Sequence, residues 1–173
     1  MVAIYKVFKQ IIQILSMLIN PISQAILPQF SELVAQNRTA EALRKVLKLR
    51  NVILGCGAIA VVGSLLFGKP IFTWVLGPEY GENLLLFEAL FVVQIFLMSY
   101  TAIHPSFAAL GVPRIDFMIT AISNLAYMFV AFVSVKMLGV YSIILAMATQ
   151  GITLIWLKYD YSKRHFVKRV NDN

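Results

Sequence analysis

The chain has 173 residues, of which 60% are hydrophobic and 13% are charged, and it carries a net charge of +7. Soluble domains contain about 25% charged residues, so this composition excludes an ordinary soluble enzyme. The positive charge lies between long apolar runs rather than on one basic face, which excludes a nucleic-acid binder. The single cysteine, Cys56, lies in an apolar run and excludes a disulfide framework. The sequence predicts an all-α, polytopic bundle of transmembrane helices.

Five apolar runs, each bounded by turn-forming residues, predict about five transmembrane spans. The second run is short for a span of roughly 20 residues, and residues 71–76 are an alternative extension of it at the membrane interface. The third run is long enough to tilt or kink. The predicted spans cover approximately residues 3–27, 52–67, 84–110, 117–135 and 140–157. They form one transmembrane helical domain over residues 1–158, which is followed by a basic cytoplasmic tail over residues 159–173.

Proline and glycine predict where these spans end. Pro28 is expected to close the first span, and the sequence Gly-Lys-Pro at 68–70 is expected to break the second. Gly-Pro at 77–78 predicts a turn, Gly-Val-Pro at 111–113 separates the third span from the fourth, and Gly139 separates the fourth from the fifth.

The connections predict how the chain crosses the membrane. The segment 31–50 is polar, and Thr39, Glu41 and Ala42 predict the start of a short surface helix within it. Because basic residues favour the cytoplasmic side, their placement predicts an amino terminus outside and a carboxyl terminus in the cytoplasm. Most of the 15 Lys and Arg residues lie on the predicted cytoplasmic side. They are Arg38, Arg44, Lys45, Lys48 and Arg50 after the first span, Arg114 after the third span, and Lys158, Lys163, Arg164, Lys168 and Arg169 after the fifth span.

The first span carries a regular stripe of polar side chains. At 3.6 residues per turn these residues share one helical face. Polar groups in hydrocarbon are costly without water or partners, so the stripe is interpreted as the lining of a substrate path, with helix–helix hydrogen bonding as the alternative. The path-lining candidates are Lys6, Gln10, Gln13, Asn20 and Gln24, and Met17 lies on the same helical face.

The fourth and fifth spans contain weaker polar patterns. For these residues, hydrogen bonding between packed helices is favoured at least as much as contact with a substrate. They are Thr120, Asn124, Tyr127 and Ser134 in the fourth span, and Thr149, Gln150 and Thr153 in the fifth.

Two ionisable residues in the third span, Glu88 and His104, are candidates for ion coupling. An acid or histidine inside a membrane is a functional hypothesis by default. Two structural explanations stay open: Glu88 lies close enough to the interface to reach water, and His104 can bond a carbonyl that Pro105 leaves free. Neither residue belongs to a metal-ligand pattern, and the sequence predicts no metal site.

Short motifs recur in order along the chain. Residues 28–33 (Pro-Gln-Phe-Ser-Glu-Leu) end a polar helix before a small basic one, and residues 76–80 (Leu-Gly-Pro-Glu-Tyr) contain a Gly-x-x-Tyr pattern. Residues 109–111 (Ala-Leu-Gly) with Arg114, and Leu-Gly at 138–139, follow at matching intervals. In these motifs the chain resembles the multidrug/oligosaccharidyl-lipid/polysaccharide flippase superfamily, especially its bacterial polysaccharide (O-antigen) flippase branch.

This resemblance implies a fold and a function. Members of the superfamily have two six-helix lobes, so five spans fit the second lobe without its first helix, which makes the chain a carboxyl-terminal portion. The implied activity is the flipping of undecaprenyl-linked oligosaccharide across the bacterial inner membrane for polysaccharide biosynthesis, including lipopolysaccharide. The implied partners are membrane lipids and an amino-terminal lobe or second copy. No catalytic residue and no cofactor is expected.

Two other functions compete with flipping. One is a cation-coupled multidrug exporter of the same superfamily, for which acidic coupling residues and aromatic walls would be expected. The other is a membrane scaffold subunit without a transport cycle, in which protein partners would satisfy the polar stripe.

Overall fold

A computed structural model describes residues 2–36, 38–101 and 112–171. These ranges are helical and contain no β-strand. The helices fall into two compact units, an amino-terminal unit (Met1–Leu110) and a carboxyl-terminal unit (Gly111–Asn173). The described helices are α1 (Val2–Ala35), α2 (Thr39–Val75), α3 (Pro78–Glu82), α4 (Leu84–Thr101), α5 (Pro113–Leu138) and α6 (Tyr141–Asn171).

Two of the predicted helix ends are wrong. Helix α1 continues through Pro21 and Pro28 to Ala35, and α2 continues through the Gly-Lys-Pro sequence at 68–70 to Val75. Proline removes one main-chain hydrogen bond from a helix. Membrane helices tolerate that loss because neighbouring groups and small local adjustments satisfy the freed carbonyl. Proline is therefore a weaker stop signal in this chain than in a soluble helix.

The predicted surface helix and the second span form one helix. Helix α2 begins at Thr39, where a helix start is predicted, but it does not end before the apolar residues. Residues 40–54 contain neither glycine nor proline and are rich in Ala, Leu, Lys and Arg, which are strong helix formers. A helix that begins at Thr39 therefore has no reason to stop at the edge of the polar segment.

Two predicted turns are confirmed, and both depend on glycine. Gly77 has a φ of 114° and Gly139 has a φ of 54°, values that favour glycine because it has no Cβ. Pro78 then occupies the first turn of α3, where its missing N–H costs nothing. Gly139 joins α5 and α6 into an antiparallel hairpin.

Among the described residues, three helical segments are long and apolar enough to cross a membrane: Arg44–Val75, Pro113–Leu138 and Tyr141–Tyr161. The segment Leu84–Ser99 is apolar but shorter. Large apolar side chains such as Trp74 and Phe132 are exposed on these helices, as expected for surfaces that face lipid rather than water. The described part of the chain is thus all-helical, with helices fit for a membrane, and the count of five spans stays a prediction.

A cluster of aromatic rings forms the centre of the amino-terminal unit. Phe8 of α1 is 0% exposed, and its ring centroid lies 5.5 Å from that of Phe72 in α2 and 5.3 Å from that of Phe87 in α4. Tyr80 of α3, from the Gly-x-x-Tyr motif, packs edge-on against Phe8 at 5.8 Å. Such ring pairs add to the energy of apolar burial, so this cluster fixes α1 against α2, α3 and α4.

Candidate functional site

One face of α1 is packed against the rest of the amino-terminal unit. Ile4, Phe8 and Ile12 are all buried, and their spacing of four residues places them along one stripe of the helix. This stripe meets the aromatic cluster at Phe8. Packing therefore sets which way the remaining side chains of α1 point.

The opposite face of α1 is exposed and carries a row of polar side chains beside exposed apolar ones. Lys6, Gln10 and Gln13 are exposed, and at 3.6 residues per turn they lie on the side opposite Phe8. We call these three residues the polar face of α1. Their ammonium and amide groups can bind phosphate oxygens and sugar hydroxyls. Two further candidates, Asn20 and Gln24, fall outside the residues whose side chains the structure describes.

Helices α2 and α4 are antiparallel and pack closely along a row that we call the α2–α4 seam. A Cβ atom added to Gly57 would lie 2.3 Å from Ile95 Cγ2, and one added to Gly68 would lie 2.9 Å from Leu84 Cδ1. Small residues allow helices to approach this closely. Between these glycines, Ser64 contacts Glu88. Along the seam, three residues of α2 therefore lie directly opposite three residues of α4. The pairs are Gly57–Ile95, Ser64–Glu88 and Gly68–Leu84.

Glu88 is buried in the middle of this seam. Its side chain is 6% exposed, which does not fit the alternative in which it reaches water. Ser64 Oγ lies 2.7 Å from Glu88 Oε1 and 3.0 Å from the carbonyl oxygen of Val61. Glu88 Oε2 is inaccessible to solvent and has no hydrogen-bond partner among the described residues. The other candidate for ion coupling, His104, lies outside the described residues.

The carboxyl-terminal unit contains a second set of polar contacts. Lys158 of α6 is 1% exposed, and its Nζ lies 2.6 Å from Asp116 Oδ1 of α5. Farther along the hairpin, Gln150 Nε2 donates a hydrogen bond of 2.6 Å to Asn124 Oδ1. For Asn124 and Gln150 the structure therefore supports hydrogen bonding between packed helices. Hydroxyl groups of this hairpin bond to carbonyl oxygens of their own helices: Thr120 to Asp116, Ser134 to Val130 and Thr149 to Leu145.

Sequence reasoning missed the Asp116–Lys158 pair. Lys158 was counted with the basic residues of the cytoplasmic side, but it is buried against α5. The sequence does contain a signal for this ion pair. Asp116 and Lys158 carry opposite charges and lie about equally far in sequence from the turn at Gly139. In an antiparallel hairpin, residues so placed meet at the same level.

The chain is similar in sequence to the capsular polysaccharide biosynthesis protein CapF of Staphylococcus aureus, with 23% identity over 145 residues. The matched residues make up 83% of this chain and 37% of the Staphylococcus protein, so the chain spans little more than a third of that relative's length. The match is longer than either structural unit and therefore includes parts of both. No family model and no solved structure matches the chain.

Proposed function

We propose that this protein takes part in polysaccharide biosynthesis by moving a lipid-linked oligosaccharide across the bacterial inner membrane. The observation that carries this proposal is the exposed polar face of α1, where Lys6, Gln10 and Gln13 lie beside exposed apolar residues such as Met17. The similarity to a capsular polysaccharide biosynthesis protein supports a substrate related to polysaccharide synthesis.

The physical task explains why a polar face is needed. A sugar headgroup and its phosphates cannot cross hydrocarbon without hydrogen-bonding partners, because each unsatisfied polar group costs several kcal/mol. Gln10 and Gln13 can each donate and accept hydrogen bonds to sugar hydroxyls. Lys6 can meet a phosphate as a point charge. The polar face would act as one wall of a hydrated path that opens alternately to the two sides.

The proposed path needs a second wall. The chain spans 37% of the Staphylococcus protein to which it is similar, and Lys6, Gln10 and Gln13 are exposed. We infer that further helices face this surface in the working transporter, either from an amino-terminal lobe or from a second copy. The polar face would then lie between the two bodies, where a substrate can enter from either side.

The direct test is genetic depletion of the protein in its own bacterium. Loss of flipping should abolish surface polysaccharide and leave undecaprenyl-linked oligosaccharide on the cytoplasmic leaflet, where a lectin added from outside cannot reach it. A copy with Gln13→Leu should fail to restore surface polysaccharide, whereas the matched Ile12→Val copy, changed on the packed face, should restore it. Normal surface polysaccharide after complete depletion would refute the proposal.

A scaffold without a transport cycle would give a different result. Depletion would then reduce synthesis of the lipid-linked oligosaccharide itself, or leave its distribution between the leaflets unchanged. The lectin measurement distinguishes the two because it reports the leaflet rather than the total amount.

A further inference from the structure

The carboxyl group of Glu88 is buried within the α2–α4 seam, and translocation as described above does not use it. Its side chain is 6% exposed, and its one polar contact among the described residues is Ser64. An ionised carboxylate buried without a counter-charge is strongly disfavoured. An acid inside a membrane helix is therefore a candidate for function rather than for stability.

No charge near this group compensates it within the described part of the chain. Glu88 is the only charged residue of α4, and it makes no described ion pair with the helices packed against α4, namely α1, α2 and α3. The half-buried Tyr80 of α3 packs its ring against Phe8. Tyr5 of α1 is half-buried as well. The charged side chains of these helices that lie nearest in sequence to their contacts with α4 are exposed: Lys6 and Lys9 on α1, Lys69 on α2, and Glu79 and Glu82 on α3.

The hydrogen-bond geometry favours a protonated carboxyl. The Ser64 hydroxyl has one hydrogen, yet its oxygen lies within bonding distance of both the Val61 carbonyl and Glu88 Oε1. If Glu88 is ionised, Ser64 can satisfy only one of these acceptors. If Glu88 carries a proton on Oε1, it donates to Ser64 Oγ while Ser64 donates to Val61, so both contacts are hydrogen bonds. The oxygen left without a partner, Oε2, then belongs to a neutral group.

We propose that Glu88 is a proton-binding site whose ionisation separates α2 from α4. With the proton bound, the neutral acid fits the closed seam. When the O–H bond breaks, the proton leaves to water and the carboxylate keeps the electron pair. The charged oxygens then need hydration, and water can reach them only if the close contacts at Gly57 and Gly68 loosen.

A proton fits this site better than a metal ion does. Calcium takes six to eight oxygen ligands and magnesium six. Around Glu88 the described residues offer the Ser64 hydroxyl and the Val61 carbonyl. Coupling of this proton to oligosaccharide movement rests on the proposed function. The protonation of Glu88 and the separation of α2 from α4 do not rest on it.

The first test is infrared spectroscopy of the protein reconstituted in lipid. The wild-type protein should show the carbonyl stretch of a protonated carboxylic acid, and this band should disappear as the pH is raised. Glu88→Gln should lack that titrating band, whereas the control Glu82→Gln, which changes an exposed carboxylate of α3, should retain it. The proposal is overturned if no such band titrates in the wild-type protein, or if the band persists in Glu88→Gln.

The second test measures the seam itself. Spin labels at Leu66→Cys on α2 and Leu85→Cys on α4, both exposed positions, would be introduced with Cys56→Ser. The distance between them should increase as the pH is raised and should stay constant when Glu88→Gln is added. The proposal is overturned if the distance does not change with pH, or if it changes with Na⁺ concentration at constant pH. Neither test involves the oligosaccharide, so normal surface polysaccharide after depletion would refute the proposed function and leave the proton-binding proposal standing.

Discussion

The two units of this protein each hold a carboxyl group between packed helices, but in different ways. In the amino-terminal unit Glu88 meets a serine across the α2–α4 seam, whereas in the carboxyl-terminal unit Asp116 meets Lys158 across the α5–α6 hairpin. Both pairs join antiparallel helices at matching levels. The difference is the counter-charge. A carboxyl with a lysine partner is suited to stay ionised as a fixed link, and a carboxyl with only a hydroxyl is suited to bind and release a proton.

The largest effect is expected from breaking the Asp116–Lys158 pair. Lys158→Met removes the buried ammonium group that lies 2.6 Å from Asp116 Oδ1, and loss of one member of a buried ion pair costs about 3–5 kcal/mol. We expect the free energy of unfolding in mixed detergent micelles to fall by about this amount. Lys69→Met, at an exposed lysine of α2, is the matched control and should have little effect.

A double change sharpens this prediction. Replacing both partners, with Asp116→Leu and Lys158→Met, removes the charge that would be stranded, and apolar pairs often substitute for buried ion pairs without loss. The double variant should therefore be more stable than Lys158→Met alone. If it is less stable than the single variant, the pair contributes through contacts other than charge compensation.

The next largest effect concerns the close packing of the α2–α4 seam. In Gly57→Ala the new Cβ would lie 2.3 Å from Ile95 Cγ2, and relief of such overpacking typically costs about 1–3 kcal/mol. The same change at Gly55, where nothing lies within 4 Å, should leave the free energy of unfolding unchanged or slightly raise it. Equal effects at the two positions would contradict the register described for α2 and α4.

A smaller effect is expected from the amide pair of the hairpin. Interhelical hydrogen bonds in membrane proteins contribute about 0.6 kcal/mol on average. A double-mutant cycle with Asn124→Leu and Gln150→Leu should give a coupling free energy near this value. Strictly additive effects would mean that the 2.6 Å contact does not contribute to stability.

The smallest effect on stability is expected from Glu88→Gln. The amide keeps the size of the side chain and can still bond to Ser64, and the change removes no counter-charge. At low pH we expect the free energy of unfolding to match that of the wild-type protein, in contrast to the loss in Lys158→Met. A large loss of unfolding free energy at low pH would mean that Glu88, like Asp116, serves to stabilise the fold.

These contrasts show which features can be predicted from the sequence. Periodicity predicts the polar face of α1 because Lys6, Gln10 and Gln13 repeat with the helix, and glycine predicts the turns at Gly77 and Gly139 because they are local. Continuation of α1 through Pro28 was missed, since its cost depends on the surroundings. The pairing of Glu88 with Ser64 and the pairing of Asp116 with Lys158 were not predicted, because both depend on the register of packed helices.

Substituted-cysteine accessibility along α1 tests most directly the claim that its polar face lines an aqueous path. In the protein assembled in its native membrane with Cys56→Ser, a membrane-impermeant thiol reagent should modify Gln10→Cys and Gln13→Cys. It should not modify Ile12→Cys on the packed face, nor Val62→Cys, which is exposed on an apolar span of α2. Protection of all four positions would contradict the account and would assign the polar face to contacts with other helices.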